Sequence, residues 1–312
     1  MGILVFLLFR RRKPSSSISH KASVSDRTEK RKLTAAQKEL YRLETTENFR
    51  WVAKLGIVAT RSLHVLSSAD FAPVELQKEF ARVGEFAEAV CGVIPIAVIW
   101  NHLDLLKRKD FPLDGYDALC KSSLISVLHG KCADVQGGIF YVPDEEQLIV
   151  GFSGTCNLLQ GLNDIDARKT EYPPSTDEKA KVHRGFWRLY RGIRRTALAA
   201  LSEALKKNLP LREVIVAGHS MGATLATLFT LDIISSSSHL NARSMSPDSL
   251  PKNVSLKLYH YGTPRLGDLA FSNFFSSSVK AFRDERGADK FTAHSLKLHN
   301  DGESRTSIFY FF

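Results

Sequence analysis

Residues 213–229 read EVIVAGHSMGATLATLF. Val214, Ile215, Val216 and Ala217 form the short apolar run of a buried strand, and Ala223, Leu225, Ala226, Leu228 and Phe229 continue as a helix. Gly218-His219-Ser220-Met221-Gly222 occupies the joint between them. A G-x-S-x-G at a strand-to-helix junction is the pattern of a nucleophile elbow, where a serine sits in a strained turn and flanking glycines let neighbouring backbone approach. Ser220 then stands at the positive end of a helix, and the Met221 N–H faces an oxyanion formed beside it. The competing reading is a chance G-x-S-x-G in an ordinary βα turn; the strand before it and the helix after it favour the elbow.

Outward from this joint the chain alternates between strand and helix patterns. GIFYVPDEEQLIVGFSG (138–154) reads as two buried strands around a Pro143-Asp144 turn. Phe186, Leu189, Ile193, Ala197, Leu201 and Leu205 make one helix stripe, with Arg184, Arg188, Arg191 and Arg195 opposite as a solvated face. Val74, Phe80, Val83, Phe86, Ala87 and Val90 give a core-facing helix over 73–91. The run AVCGVIPIAVIW (89–100) is apolar but short and broken by Pro95, and reads as buried helix rather than a membrane span. After the elbow come a serine-rich loop (235–253), a strand over 255–262, a helix around Asp268–Phe275 and a last strand near Phe291–Leu298. The alternation predicts an α/β fold with a mostly parallel sheet covered by helices.

The net charge of +10 on 312 residues is uneven: residues 1–50 hold twelve basic and five acidic side chains, which accounts for most of the excess. Residues 1–33 read as a disordered basic tail and 34–72 as a peripheral helical extension, ahead of one domain over 73–312. No basic recognition helix, aromatic RNA-binding pattern or zinc-ligand spacing is present, so nucleic acid is excluded as a partner. MGILVFLLFRRRK (1–13) has its charge after its apolar run, unlike a signal peptide, and is too short to span a bilayer. It stands either as a weak anchor on an anionic membrane surface or as a plain tail. Cys91, Cys120, Cys132 and Cys156 fall at no metal or disulfide spacing and read as reduced, which points to an intracellular, cytoplasmic or membrane-peripheral setting.

FSGT (152–155), KVHRGF (181–186), GHSMG (218–222) and YGTPRLGD (261–268) occur in the order and spacing of the fungal class 3 lipases, and the chain resembles that family over about residues 70 to 302. EFARVGEFAEAV (79–90) and FPLDGYDAL (111–119) add to the likeness. The resemblance implies an α/β-hydrolase fold. It implies Ser220 as catalytic nucleophile, Thr155 and the Met221 N–H as the oxyanion hole, His183 as a structural residue and Asp301 as the catalytic acid. Ser153 stands where the family commonly has arginine, at the expense of a local salt bridge. In CNLLQGLNDIDAR (156–168) Leu158, Leu159, Leu162 and Ile165 share one helix face, which reads as an interfacial lid or as an ordinary surface helix.

In the family the catalytic histidine follows the acid by some tens of residues, whereas after Asp301 the chain reads GESRTSIFYFF and contains no histidine. His219, His260, His294 and His299 all precede Asp301 and read as structural. The expectation is a C-terminally truncated domain that lacks its base, and Gly302-Glu303-Ser304 can be encoded by codons containing an intron-donor sequence. The function expected is lipase or carboxylic ester hydrolysis of lipid esters at a lipid-water interface through an acyl-enzyme, with no metal or cofactor, impaired in this chain. The alternatives are a non-catalytic lipid-binding or interaction protein on the same fold, and an esterase or acyltransferase with non-lipid substrates.

Overall fold

The computed structural model describes residues 72–92, 94–107, 116–131, 135–154, 168–175, 179–235 and 250–296. The basic tail, all but the end of the 34–72 extension, the lid segment, most of the serine-rich loop, Thr155 and Asp301 lie outside these residues.

The strands are β1 (Ser123–His129), β2 (Gln136–Val142), β3 (Gln147–Phe152), β4 (Lys169–Glu171), β5 (Lys181–His183), β6 (Glu213–His219), β7 (Ser255–Tyr261) and β8 (Phe291–Leu296). Among the described residues the main sheet has the order β1-β2-β3-β6-β7-β8, and β4 and β5 form a separate hairpin. The pairings β1–β2 and β2–β3 are antiparallel; β3–β6, β6–β7 and β7–β8 are parallel. β3 and β6 lie at the centre, and β3 is buried along its whole length. Period-two alternation sends Leu148, Val150, Val214 and Val216 to one face and Ile149, Ile215 and Ala217 to the other, so each strand feeds two cores.

One face carries α5 (Arg184–Leu205), α6 (Met221–Ile234) and α7 (Leu269–Arg286). The other carries α1 (Val74–Ala89) and the short helices α2 (Ile96–Asn101), α3 (Leu103–Leu106) and α4 (Asp117–Cys120). Every residue of α6 is buried, which explains its mostly apolar composition. Its polar members bond inward: the Thr224 hydroxyl donates to the Met221 carbonyl at 2.7 Å and the Thr227 hydroxyl to the Ala223 carbonyl at 2.9 Å. Asp232 is held by the Tyr190 hydroxyl and by the Arg194 guanidinium at 2.6 and 3.1 Å, tying α6 to α5. Asp268 caps α7 by accepting from the Phe271 N–H at 3.0 Å.

The run 89–100 is not one buried helix. α1 ends at Ala89, and Pro95 immediately precedes α2. Ile94 and Val98 are 56% and 45% exposed, with only Ile96 of α2 buried. Proline has no N–H to continue a ladder and disfavours helix in the residue before it, so the apolar run is divided and turned outward. No helix among the described residues is long and apolar enough to cross a membrane.

Candidate active site

β6 delivers the site. It ends at His219, and Ser220 follows with φ 56° and ψ −127° before α6 begins at Met221. Holding a non-glycine residue at positive φ costs about 1–3 kcal/mol, which the buried strand and helix on either side impose. The Ser220 N–H donates to the Tyr261 carbonyl at 2.9 Å, and the Ser220 carbonyl accepts from the Ala223 N–H at 3.0 Å. Both backbone groups are therefore satisfied. The hydroxyl is not: Ser220 Oγ is buried and has no hydrogen-bond partner among the described residues.

The glycines of the pentapeptide work as its pattern predicts. A Cβ on Gly218 would lie 2.3 Å from the Gly222 carbonyl carbon, and one on Gly222 would lie 2.2 Å from the Phe152 oxygen. The turn thus folds back on itself and onto the end of β3. Gly154 also comes close from the other side, where a Cβ would be 2.8 Å from the His219 oxygen and 3.5 Å from Ser220 Cβ. The end of FSGT is therefore brought against Ser220, although Thr155 itself lies outside the described residues.

Two features of this loop escaped the sequence reading. The Gly154 N–H donates to Cys91 Sγ at 3.0 Å, so the residues just after α1 fix the loop from below; nothing in the pattern around Cys91 signals this. Ser153 is buried and its hydroxyl accepts from the Gln136 N–H at 2.9 Å, so it fastens the loop to β2.

The histidines divide by environment. His183 ends β5 just before α5 and stacks on Phe186 at 4.2 Å. The His260 ring lies 2.9 Å from the Thr227 hydroxyl, and burial pushes its pKa down to about 4. His294 packs against Phe80 and Tyr259; burial first, and then the charge of Lys257, lower its pKa against the opposing influence of Glu79. His299, like Asp301, lies outside the described residues. Met221 opens α6 and is 5% exposed, so its backbone stands in the positive first turn next to Ser220.

The comparisons agree with this geometry. Residues 149–292, from β3 through the elbow to the start of β8, match the family model for lipase (class 3). Over that stretch the chain is similar to the class 3 lipases. A lipase of Rhizomucor miehei is 29% identical over 139 residues, covering 45% of this chain and 34% of that protein. A protein named phospholipase A1-II 7, from Oryza sativa subsp. indica, is 28% identical over 157 residues, covering 45% of this chain and 37% of its own length. A crystal structure of a lipase from Rhizopus microsporus var. chinensis superposes with a TM-score of 0.52 and 27% identity, covering 66% of this chain and 64% of that one. The chain therefore matches well under half of the length of those two sequence relatives, and the fold it shares with the solved lipase is the α/β-hydrolase fold.

Proposed function

We propose that the protein hydrolyses carboxylic esters of glycerolipids with Ser220 as the nucleophile. The observation that carries the reading is the Ser220 hydroxyl itself, buried at a positive-φ turn and without a hydrogen-bond partner among the described residues. A buried polar group without a partner costs stability unless a ligand or reaction uses it. The match to the class 3 lipase family model and the Gly154 loop pressed against the turn support the same reading.

Ser220 Oγ attacks the ester carbonyl carbon, and the negative charge that develops on the carbonyl oxygen is met by the Met221 N–H and by Thr155 from the loop beyond Gly154. Collapse expels the alcohol and leaves an acyl-enzyme, which water then cleaves. The proton leaving Ser220 requires a base of pKa near neutrality. His260 does not serve, since its ring is engaged by Thr227 and burial keeps it near 4. No described residue supplies that base; Asp301 is the acid that would orient it, and an intracellular, membrane-peripheral setting is part of this proposal.

The same unpartnered hydroxyl favours a second reading, a lipid-binding protein that keeps the pocket without the base. A fluorophosphonate ester separates the two. Covalent labelling of Ser220, lost in Ser220→Ala, supports the hydrolase; an unlabelled Ser220 that still binds lipid ester selects the binding protein.

A further inference from the structure

We infer that the arginine row on the first half of α5 is a docking face for an anionic lipid surface, set at the same edge of the sheet as Ser220. It rests on the ester-hydrolase reading only for what is brought to Ser220; the binding stands apart from it.

Arg184, Arg188, Arg191 and Arg195 recur at helical spacing along about 16 Å of α5, and all four are exposed. Among the described residues no acidic side chain pairs with Arg188, Arg191 or Arg195, whereas Arg194, on the buried side, is taken by Asp232. Like charges at these spacings repel, and cations in the first turns of a helix oppose its dipole. Among the described residues Arg188, Arg191 and Arg195 are therefore left with repulsion that an external anion relieves.

The surface beside it is shaped to receive headgroups. An open depression of about 420 Å³ is lined by Thr170, Glu171, Arg184, Trp187, Arg188 and Arg191, among others. A second of about 340 Å³ shares Trp187 and Arg191 and adds Arg194. Among the described residues Glu171 is the one carboxylate lining either, against four arginines. Lys169 and Lys181 on the adjoining hairpin are exposed and extend the basic field. Trp187, half-buried against Tyr172 with ring centres 5.3 Å apart, supplies an amphipathic ring of the kind that sits at a membrane-water boundary.

Topology fixes where this face points. β1, β3, β6 and β7 run in one direction, so their carboxyl ends share an edge, and Ser220 lies there. Two backbone bonds, one just before α5 and one in its first half, hold it at that edge. The His183 N–H donates at 2.7 Å to Leu266, beyond the end of β7, and the Lys131 N–H donates at 3.1 Å to Gly192, just past the end of β1. An anionic surface gripped by the row thus meets the protein at the edge from which substrate reaches Ser220. The basic field of a lone patch would also attract nucleic acid, but a groove pairing arginines with a half-buried tryptophan at this edge fits headgroups above acyl chains.

The test uses the full chain carrying Ser220→Ala, so that vesicles are not consumed, with vesicles of phosphatidylcholine alone and of phosphatidylcholine mixed with phosphatidylglycerol. Co-sedimentation is expected to favour the anionic vesicles, and Arg188→Gln/Arg191→Gln/Arg195→Gln is expected to lower that affinity about fivefold for each arginine and to flatten its salt dependence. The basic residues 1–50 stay in both proteins and cancel in the comparison. Brominated lipid is expected to quench a fluorescence component that Trp187→Phe removes. Equal affinity of the triple variant and its parent, equal binding to both vesicle types, an unquenched Trp187, or equally strong binding of duplex DNA abolished by the same variant overturns the inference. If binding behaves as expected while the protein with Ser220 intact cleaves no ester, the hydrolase reading fails and the docking face stands. If a soluble ester is cleaved while the triple variant binds vesicles as its parent does, the docking face fails alone.

Discussion

A side-chain carbon on Gly222 would stand 2.2 Å from the carbonyl oxygen of Phe152, so the turn that carries Ser220 is pressed directly onto the end of β3. Backbone, not a flexible side chain, is what an added methyl meets. Gly222→Ala is expected to lose about 2–4 kcal/mol of stability, near the upper end for overpacking. Gly84 in α1 is the contrast: its Cβ would meet only the Tyr261 ring, at 3.5 Å, and Gly84→Ala is expected to gain about 0.5–1 kcal/mol from helix propensity. Urea midpoints of the two variants against wild type check both signs.

The strained backbone at Ser220 can be weighed apart from its chemistry. Glycine accepts φ 56° without the Cβ penalty, and alanine does not. Ser220→Gly is expected to be more stable than Ser220→Ala by about 1 kcal/mol, with neither labelled by a fluorophosphonate. Equal thermal midpoints would mean that the turn is not under strain.

Asp232 joins α6 to α5 through Tyr190 and Arg194, and it is 5% exposed. Burial raises the Tyr190 hydroxyl pKa well above the ordinary phenol range, and the Asp232 charge adds to it, so the phenol stays a donor. Asp232→Ala is expected to cost about 2–4 kcal/mol, somewhat below a fully buried pair because Arg194 keeps partial contact with water. Tyr190→Phe is expected to cost about 1–2 kcal/mol, and the double variant less than the sum. A double-mutant cycle by chemical denaturation reads the coupling.

Glu88 and Glu85 on α1 both have pKa values raised to about 7, by burial first; for Glu88 the charge of Glu85 adds to it. A carboxyl whose folded pKa is raised binds its proton more tightly in the native state, so its contribution is full below the unfolded value of 4.5 and is lost as pH rises through about 7. Relative to wild type, Glu88→Gln is therefore expected to gain stability between pH 4.5 and pH 7 and to hold that gain above. Denaturation midpoints of both proteins across this range give the difference curve; a flat one refutes the assignment.

Because no described residue reaches Ser220 Oγ, a base supplied from solution is expected to act on it. Imidazole should raise the Ser220-dependent turnover of a small activated ester by about tenfold, with Ser220→Ala showing only the background reaction. A rate already high and indifferent to imidazole would mean that residues outside those described provide the base.

Where the sequence was legible, the period of its apolar residues had one interpretation. Val214 to Ala217 entering G-x-S-x-G could only be a central strand meeting a helix, and the Phe186–Leu201 stripe could only be one face of α5, with Arg184, Arg188, Arg191 and Arg195 on the water side. Reading failed where composition was mixed. SLISVLH gave no clean alternation because β1 is a half-buried edge strand, and the three-residue strands β4 and β5 are too short for any period to register. AVCGVIPIAVIW reads as buried from its apolar residues, and the break at Pro95 is legible in it, but that the part after Pro95 turns largely to the surface is not.

The sequence by itself determined the alternation of strand and helix, the elbow at Ser220 and the arginine side of α5, because these follow from local spacing and from glycines that only a tight turn requires. Tertiary structure decided what lies against them: Gly154 and Cys91 beside the elbow, the Tyr261 carbonyl on the Ser220 N–H, Asp232 paired with Arg194, and the arginine row placed at the edge of Ser220. Each of these joins residues far apart in the chain. Such contacts are set by strand order and register in the sheet, which no local spacing encodes.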